Sequence, residues 1–491
     1  MQNDLRSWLE EIDKHGELKT IKGANWDLEM SSIIEIMAGE PSEKKPIVIF
    51  DEIPGFPKGF RTLFGLLGSP LRVAKTMGLS MGSEDRMTIL REWRQKVRDM
   101  KLIPPQIVST CPVQANVDTG DKIDLFKFPI PRFHELDCGR YFGTCAGTIQ
   151  QDPDSGFTNV ATYRSMMVDR NHLAIHILEG QHGTAIMRKF QPSGKKMQIA
   201  IAVGVDPTLW FASYSKAVPW GCSEYDYAGG IEGSPIEVFK GEYTGLLLPA
   251  NAEIVVEGEC DPNVRVGEGP FGEWNGYYAN MGLTPVPEPL IEVKAVYYRD
   301  NPIMACHLPG SPNLNLGNMT SSLSHSDGIW TRLEKSGIPG VKGVWCYSEV
   351  AGDNLFAVVS IEQLYAGHSR EAGLAASQYA HLNRYTVVVE EDIDPSNLKQ
   401  VIWAIMTRGK PHEAIQILDR CRSNSSDPTI SMEEKRKFKV PPKPLYNSRV
   451  IIDACRPLEW KNEWYPVVKI SSELREQTMK KWQTTIKGIL S

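Results

Sequence analysis

The chain has 491 residues, too many for one ordinary core, so two or three domains are expected. Its 41% apolar and 23% charged residues fit a globular protein, and a net charge of -6 argues against a nucleic-acid partner, which needs a basic field. No apolar run is long enough to span a bilayer and the N-terminus, Met1-Gln-Asn-Asp-Leu-Arg, is charged and lacks the apolar core of a signal peptide, so neither a membrane helix nor a signal peptide is read and a cytoplasmic location is expected. The nine cysteines are odd in number and form no Cys-x-x-Cys pair, which fits reduced thiols and not a disulfide or zinc framework.

In chain order, Leu5, Trp8, Leu9 and Ile12 fall on one helical face. Pro46–Phe50 reads as a buried strand closed by Pro54-Gly55, and Glu84–Met100 as a helix, with Pro104-Pro105 as a boundary. Short strand-like runs follow at Phe142–Gln150, Asn159–Val168, Leu173–Leu178, Gln198–Val205, Ala252–Gly258 and Leu290–Tyr298, a spacing that predicts a barrel or sandwich. Ser322–Lys335 reads as a connecting helix. Beyond it, strand-like Gly343–Tyr347, Leu355–Ile361 and Tyr385–Val389 alternate with helical Ser369–Leu382 and Pro395–Thr407, an α/β pattern in which Pro395 suits a first helical turn. Ser423–Pro428 and Glu433–Pro444 read as surface loops. Ser472–Leu490 is an amphipathic helix whose Leu474, Trp482, Ile486 and Ile489 predict docking on its own domain or on a neighbouring subunit.

The richest segment chemically is Glu268-Gly-Pro-Phe-Gly-Glu273. Two carboxylates flank a turn that can bring both into one cavity, where mutual repulsion is expected to hold one of them protonated as a general acid. Upstream lie Asn159 and Arg164 at the ends of one run, the glycine-flanked His182, and Glu224 ahead of a small-residue turn. Asn159, His182 and Glu224 together offer an O/N/O donor set suited to manganese or magnesium. Taken singly, each is more often a turn, a hydrogen-bonded or a surface residue. His172 and His176 have the i, i+4 spacing of a zinc pair, but in a strand-like run that spacing serves chelation poorly.

From Asn159, Arg164 is 5 residues on, His182 is 23 and Glu224 is 65; from Arg164, Glu268 is 104 and Glu273 is 109. Six positions in this order and spacing resemble the UbiD family of reversible decarboxylases that use prenylated FMN, in particular its ferulic and cinnamic acid decarboxylases. The resemblance covers essentially the whole chain.

The resemblance implies an α+β architecture: an N-terminal α/β section (1–105), a split β-barrel-like cofactor domain (106–303), a pocket segment and linker helix (304–336), an α/β oligomerisation domain (337–465) and a docking helix (466–491). It implies non-oxidative, reversible decarboxylation of an aromatic, heteroaromatic or α,β-unsaturated carboxylic acid. Arg164, Glu268 and Glu273 would form the catalytic network, with Glu273 as proton donor and Arg164 on the substrate carboxylate. Asn159, His182 and Glu224 would hold Mn2+ or Mg2+ against the cofactor phosphate. Backbone carbonyls of 212–216, with Glu224, would hold K+. Ala161, Thr162, Tyr163, Arg164 and Gln181 would line the flavin, as would Arg370, which stands where relatives more often carry lysine. A flavin prenyltransferase would supply the cofactor, and a homodimer or homohexamer is expected. Glu273→Gln and Arg164→Ala are each expected to remove most turnover and leave the fold intact. Asn313, Asn315 and Asn318 could face a substrate or cap turns, and Trp274, Tyr277 and Tyr278 read as core or interface. Two other classes stay open: a non-catalytic subunit of a carboxylase complex, and a reductase using unmodified FMN.

Overall fold

The structure, a computed structural model, describes residues 4–40, 45–80, 85–215, 218–280, 282–310, 319–351, 354–379, 382–437 and 445–490. The first helix, Leu5–Asp13, buries Leu5, Trp8, Leu9 and Ile12 along one stripe. Asp4 caps it, accepting from Ser7 N at 2.8 Å, and the Ser7 hydroxyl accepts from Asp4 N in return. The N-terminal sheet runs Leu18–Lys22, Ile47–Asp51, Arg61–Phe64, then Ile303–Cys306. That last strand joins parallel to Arg61–Phe64 from the far end of the central sheet, so the N-terminal section closes with residues remote in sequence.

The central sheet places its strands in the order Thr158–Ala161, Ala146–Gln151, Met197–Val203, Ile254–Glu268, Val286–Tyr298, His172–His176 and Arg164–Met167, with Asn116–Thr119 also paired to Val286–Tyr298. The first and last strands of this path are neighbours in the chain, separated only by Thr162 and Tyr163. Such a link spans at most roughly 11 Å. The two edges must therefore meet, and the sheet curls into a near-closed barrel whose seam is Ala161–Arg164. The run expected as one strand over Asn159–Val168 is thus two strands broken at the seam, a break that period-2 apolarity does not register.

The helix Met319–Lys335 is buried along most of its length and connects to the C-terminal sheet. That sheet has the order Val341–Cys346, Phe356–Ile361, Tyr385–Glu390, Tyr446–Asp453, Ile415–Arg422. The helix expected from Pro395 begins at Leu398 instead. Asn397 caps it by accepting from Gln400 N, which a proline side chain cannot do. Two expected surface loops are corrected as well. Asp427 and Lys435 are buried, and Met432–Lys437 is a short helix; residues 438–444 lie outside the described ones. The terminal helix Ser472–Leu490 forms, with Leu474, Trp482 and Ile489 exposed by 50%, 48% and 77%, so its apolar stripe is not buried within its own chain. The architecture is α+β, as expected. None of the described helices is long and apolar enough to cross a membrane.

Candidate active site

Glu268 ends the long strand Ile254–Glu268, and the chain then turns through a cis Gly269–Pro270 peptide with Gly269 at φ +86°. A side chain is rarely tolerated at that φ, which accounts for glycine there. The turn folds Phe271 back over the Arg164 guanidinium, 4.5 Å from the ring centroid. Arg164 opens the strand Arg164–Met167 at the barrel seam, with two strands between it and Ile254–Glu268 in the sheet order. Its Nε and Nη2 donate to Glu268 Oε1 and Oε2 at 2.9 and 3.0 Å, and its Nη1 donates to Glu273 Oε1 at 2.7 Å. Tyr141 adds a fourth bond, donating its hydroxyl to Glu268 Oε1 at 3.0 Å. All three charged side chains are buried.

The electrostatics differ from simple repulsion between two acids. Burial pushes the Glu268 carboxyl up, but the Arg164 charge and hydrogen bonds outweigh it, and Glu268 is held below the usual carboxylate range. Burial likewise works against the Arg164 charge, yet Glu273 and Glu268 beside it raise its pKa on balance. Arg164 stands between the two carboxylates, so Glu268 is not the acid that mutual repulsion would hold protonated. His176 and Glu288 stand behind Glu268, with His176 Nδ1 2.7 Å from Glu288 Oε1. This trio could be mistaken for a metal site, but both Glu268 oxygens already accept from Arg164 or Tyr141. His172 pairs instead with Asp169 at 2.9 Å, so the two histidines serve different partners and no zinc pair forms.

Directly before Arg164, a cavity of about 220 Å3 opens at the seam, lined by Asn159, Ala161, Thr162, Tyr163, Gln181, His182 and Glu224 together with Ser213–Ser215. His182 and Glu224 are each the first residue of a helix, His182–Phe190 and Glu224–Glu232, whose N-termini favour an anion such as phosphate. Gly183 has no room for a Cβ, which would stand 2.5 Å from Gln150 Oε1, and its N–H donates to Tyr163 Oη at 2.9 Å. Thr162 is tied to Ser213 through N–H to carbonyl, 3.1 Å, and hydroxyl to hydroxyl, 3.0 Å.

The donors in this cavity fit a divalent cation. Asn159 is fully buried and its Oδ1 has no partner, although its amide nitrogen lies 3.5 Å from Gln150 Oε1. An orphan buried carbonyl is costly unless something binds it. Burial raises Glu224 to about 8 despite the 2.6 Å bond from Val160 N, so a nearby cation is what would keep it ionised.

The remaining expected residues are placed as follows. Arg370 is exposed on the helix His368–Ser377, donates to Gln416 Oε1 at 3.0 Å and is not among the residues lining the cavity. Lys216, at the end of the expected K+ segment, lies outside the described residues, as do Asn313, Asn315 and Asn318. Trp274 is partly buried and packs on His307, with ring centroids 5.1 Å apart, while Tyr277 is exposed. His307 is also 6.0 Å from Trp210, and burial lowers it to about 4, so its imidazole is neutral. His307 falls in the expected pocket segment, whereas sequence reasoning passed over Tyr141 and Asp137, whose partners Glu268 and Gly272 are distant in the chain. A larger cavity of about 380 Å3, lined by Asp206, Glu232, Glu237 and Asn251 among others, shares no lining residue with the first.

Three family models cover the chain: the 3-octaprenyl-4-hydroxybenzoate carboxy-lyase (UbiD) N-terminal domain at 9–97, its Rift-related domain at 106–312 and its C-terminal domain at 318–454. A pyrrole-2-carboxylic acid decarboxylase of Pseudomonas aeruginosa is 31% identical over 451 residues, 88% of each chain. The chain belongs to the UbiD family. Among solved UbiD-class structures, HmfF from Pelotomaculum thermopropionicum in complex with FMN superposes with a TM-score of 0.82 at 27% identity, covering 95% of this chain and 97% of that one. An evolved dimeric form of the same enzyme in complex with prFMN gives 0.78 at 27%, covering 96% and 97%.

Proposed function

We infer that this UbiD-family chain is a non-oxidative carboxy-lyase that releases carbon dioxide from an aromatic, heteroaromatic or α,β-unsaturated carboxylic acid. The observation that carries the reading is Arg164 held between Glu268 and Glu273, one peptide bond from the seam cavity. Ala161, Thr162, Tyr163 and Gln181 would line prenylated FMN, which would supply a sink for the electron pair left when carbon dioxide departs. Asn159, His182 and Glu224 would hold Mn2+ or Mg2+ there against the cofactor phosphate. The carbonyls near Ala212–Ser215, with Glu224, would take K+.

Arg164 presents a charge that does not titrate to the substrate carboxylate. Glu268, fully buried and bidentate, fixes the plane of the guanidinium. Glu273 uses a single oxygen on Arg164, so its carboxyl can reach the carbon that needs a proton. Phe271 covers the guanidinium and helps exclude water from it.

The exposed stripe of the terminal helix supports a homodimer or homohexamer, and a flavin prenyltransferase is the expected source of the cofactor. The test is co-expression with such a prenyltransferase, mass spectrometry of the extracted flavin, and carbon dioxide release from panels of aromatic and acrylic acids. Prenylated FMN with turnover by the isolated chain supports the reading. Absence of both refutes it, and NAD(P)H oxidation with unmodified FMN would put a reductase in its place.

A further inference from the structure

The segment that carries Glu273, residues 269–280, belongs to no strand or helix, yet it must hold a carboxylate in place to a fraction of an ångström. Its internal bonds are local: Glu273 N donates to Tyr277 O at 3.0 Å and Gly276 N to Glu273 O at 2.9 Å. Before Glu273 it is anchored by the barrel's own side of the molecule, where Gly272 N donates to the buried Asp137 at 2.9 Å. After Glu273, Tyr278 bonds to the same Asp137, and two further anchors come from the C-terminal part. Asn275 Nδ2 donates to Ser426 O at 2.6 Å, and Lys435 Nζ donates to Ala279 O at 2.5 Å. Asn275, Ala279, Ser426 and Lys435 are all buried.

The Ser426 carbonyl is itself rigidly held. Asp427 accepts from Ser423 Oγ at 2.7 Å, Arg384 Nη2 at 2.6 Å and Thr429 N at 3.0 Å, and also from Asn447. Arg384 precedes the strand Tyr385–Glu390 and Asn447 lies on Tyr446–Asp453, so Asp427 pins the 423–430 loop to the C-terminal sheet. A continuous path of hydrogen bonds runs from that sheet to Asn275, two residues past Glu273, and the helix Met432–Lys437 reaches Ala279 separately through Lys435.

We propose that Asn275 and Lys435 are positioning residues for proton delivery: through Ser426 and Ala279 the C-terminal sheet sets where Glu273 stands relative to Arg164. The inference rests on Glu273 being the proton donor, but its structural half can be read without turnover. Full-length protein loaded with cofactor is compared with Asn275→Asp, Lys435→Met and Lys435→Arg by hydrogen–deuterium exchange and by kinetics. Asn275→Asp keeps the side-chain shape and replaces the donor with an acceptor facing the Ser426 carbonyl.

Asn275→Asp and Lys435→Met should each raise exchange across 273–280 by roughly 10-fold, leaving 179–183 at the cavity unchanged. Both should lower kcat by on the order of 10²-fold, the scale of a displacement of about 1 Å. KM should stay within about 3-fold, because substrate binding through Arg164 is retained. Lys435→Arg, which can still donate to Ala279 O, should recover most of the loss. Unchanged exchange across 273–280 in both variants overturns the inference, as does raised exchange with an unaltered kcat in an active enzyme. If exchange responds but the wild-type protein turns over no acid, the anchoring stands and the proton-donor reading fails.

Discussion

Arg164→Lys isolates the geometry of the Arg–Glu–Glu group from its charge. The native guanidinium makes three charge-assisted bonds to two carboxylates, at 2.9, 3.0 and 2.7 Å, and stacks under Phe271. An ammonium keeps the charge but not the fork, so it can serve one carboxylate well and loses one or two bonds. At ~1.5–3 kcal/mol for a hydrogen bond to a charged group, partly recovered by the retained charge, the expected loss is about 2–4 kcal/mol. With about 1.4 kcal/mol per decade, kcat/KM should fall roughly 30- to 700-fold. The assay is carbon dioxide release by reconstituted enzyme, with urea unfolding run in parallel. Arg164→Ala should behave differently from the simple expectation of an intact fold, because it leaves two buried carboxylates with no cation between them. Removing one partner of such a group costs about 3–5 kcal/mol at neutral pH. That cost should shrink in acid, where Glu268 can take up a proton instead. Arg164→Lys activity within about 3-fold of wild type would refute the claim that the fork matters.

The remaining predictions concern acid stability, metal and assembly. Glu268 has a folded pKa below its ordinary 4.5, so its ionised form stabilises the fold above the unfolded value and that contribution is lost as pH falls through the folded one. Glu268→Gln should therefore lower the urea midpoint at pH 7 and flatten the acid limb of stability; equal acid losses in both proteins would contradict this. Asn159→Ala should reduce bound Mn2+, measured by elemental analysis of purified protein, while thermal unfolding of the metal-free protein stays near wild type. Removing residues 466–491 should lower the solution mass seen by light scattering and leave the core transition in place, because that helix buries no apolar stripe in its own chain.

Much of the fold was legible because its signals are local. The stripe from Leu5 to Ile12 and the alternation beyond Gly343 are set by residues close in sequence, where side-chain period decides the outcome. What was not legible depends on partners far along the chain. Ile303–Cys306 completes a sheet by pairing with Arg61–Phe64, 242 residues earlier, and the break at Thr162–Tyr163 exists because the barrel must close there. The proline at 395 drew the start of a helix toward itself, whereas the unsatisfied N–H groups of the first turn select the side chain that can bind one, Asn397.

The same distinction explains the site. Asn159, Arg164, His182, Glu224, Glu268 and Glu273 could be named from order and spacing, and the cavity and the Arg164 fork gather them in two adjacent groups. Their electrostatic state could not be named, because it turns on a third group: two acids alone in one cavity repel, but the Arg164 guanidinium holds Glu268 below the usual carboxylate range. Polar composition misled in a related way at Ser423–Pro428. Such a stretch reads as solvated, yet here its polar atoms face one another around Asp427 and the loop is drawn inward. A buried loop must satisfy its own backbone and side chains. A Ser/Asn/Asp-rich segment can do so, and that capacity lets residues 423–430 reach the segment that carries Glu273 and offer Asn275 a fixed carbonyl.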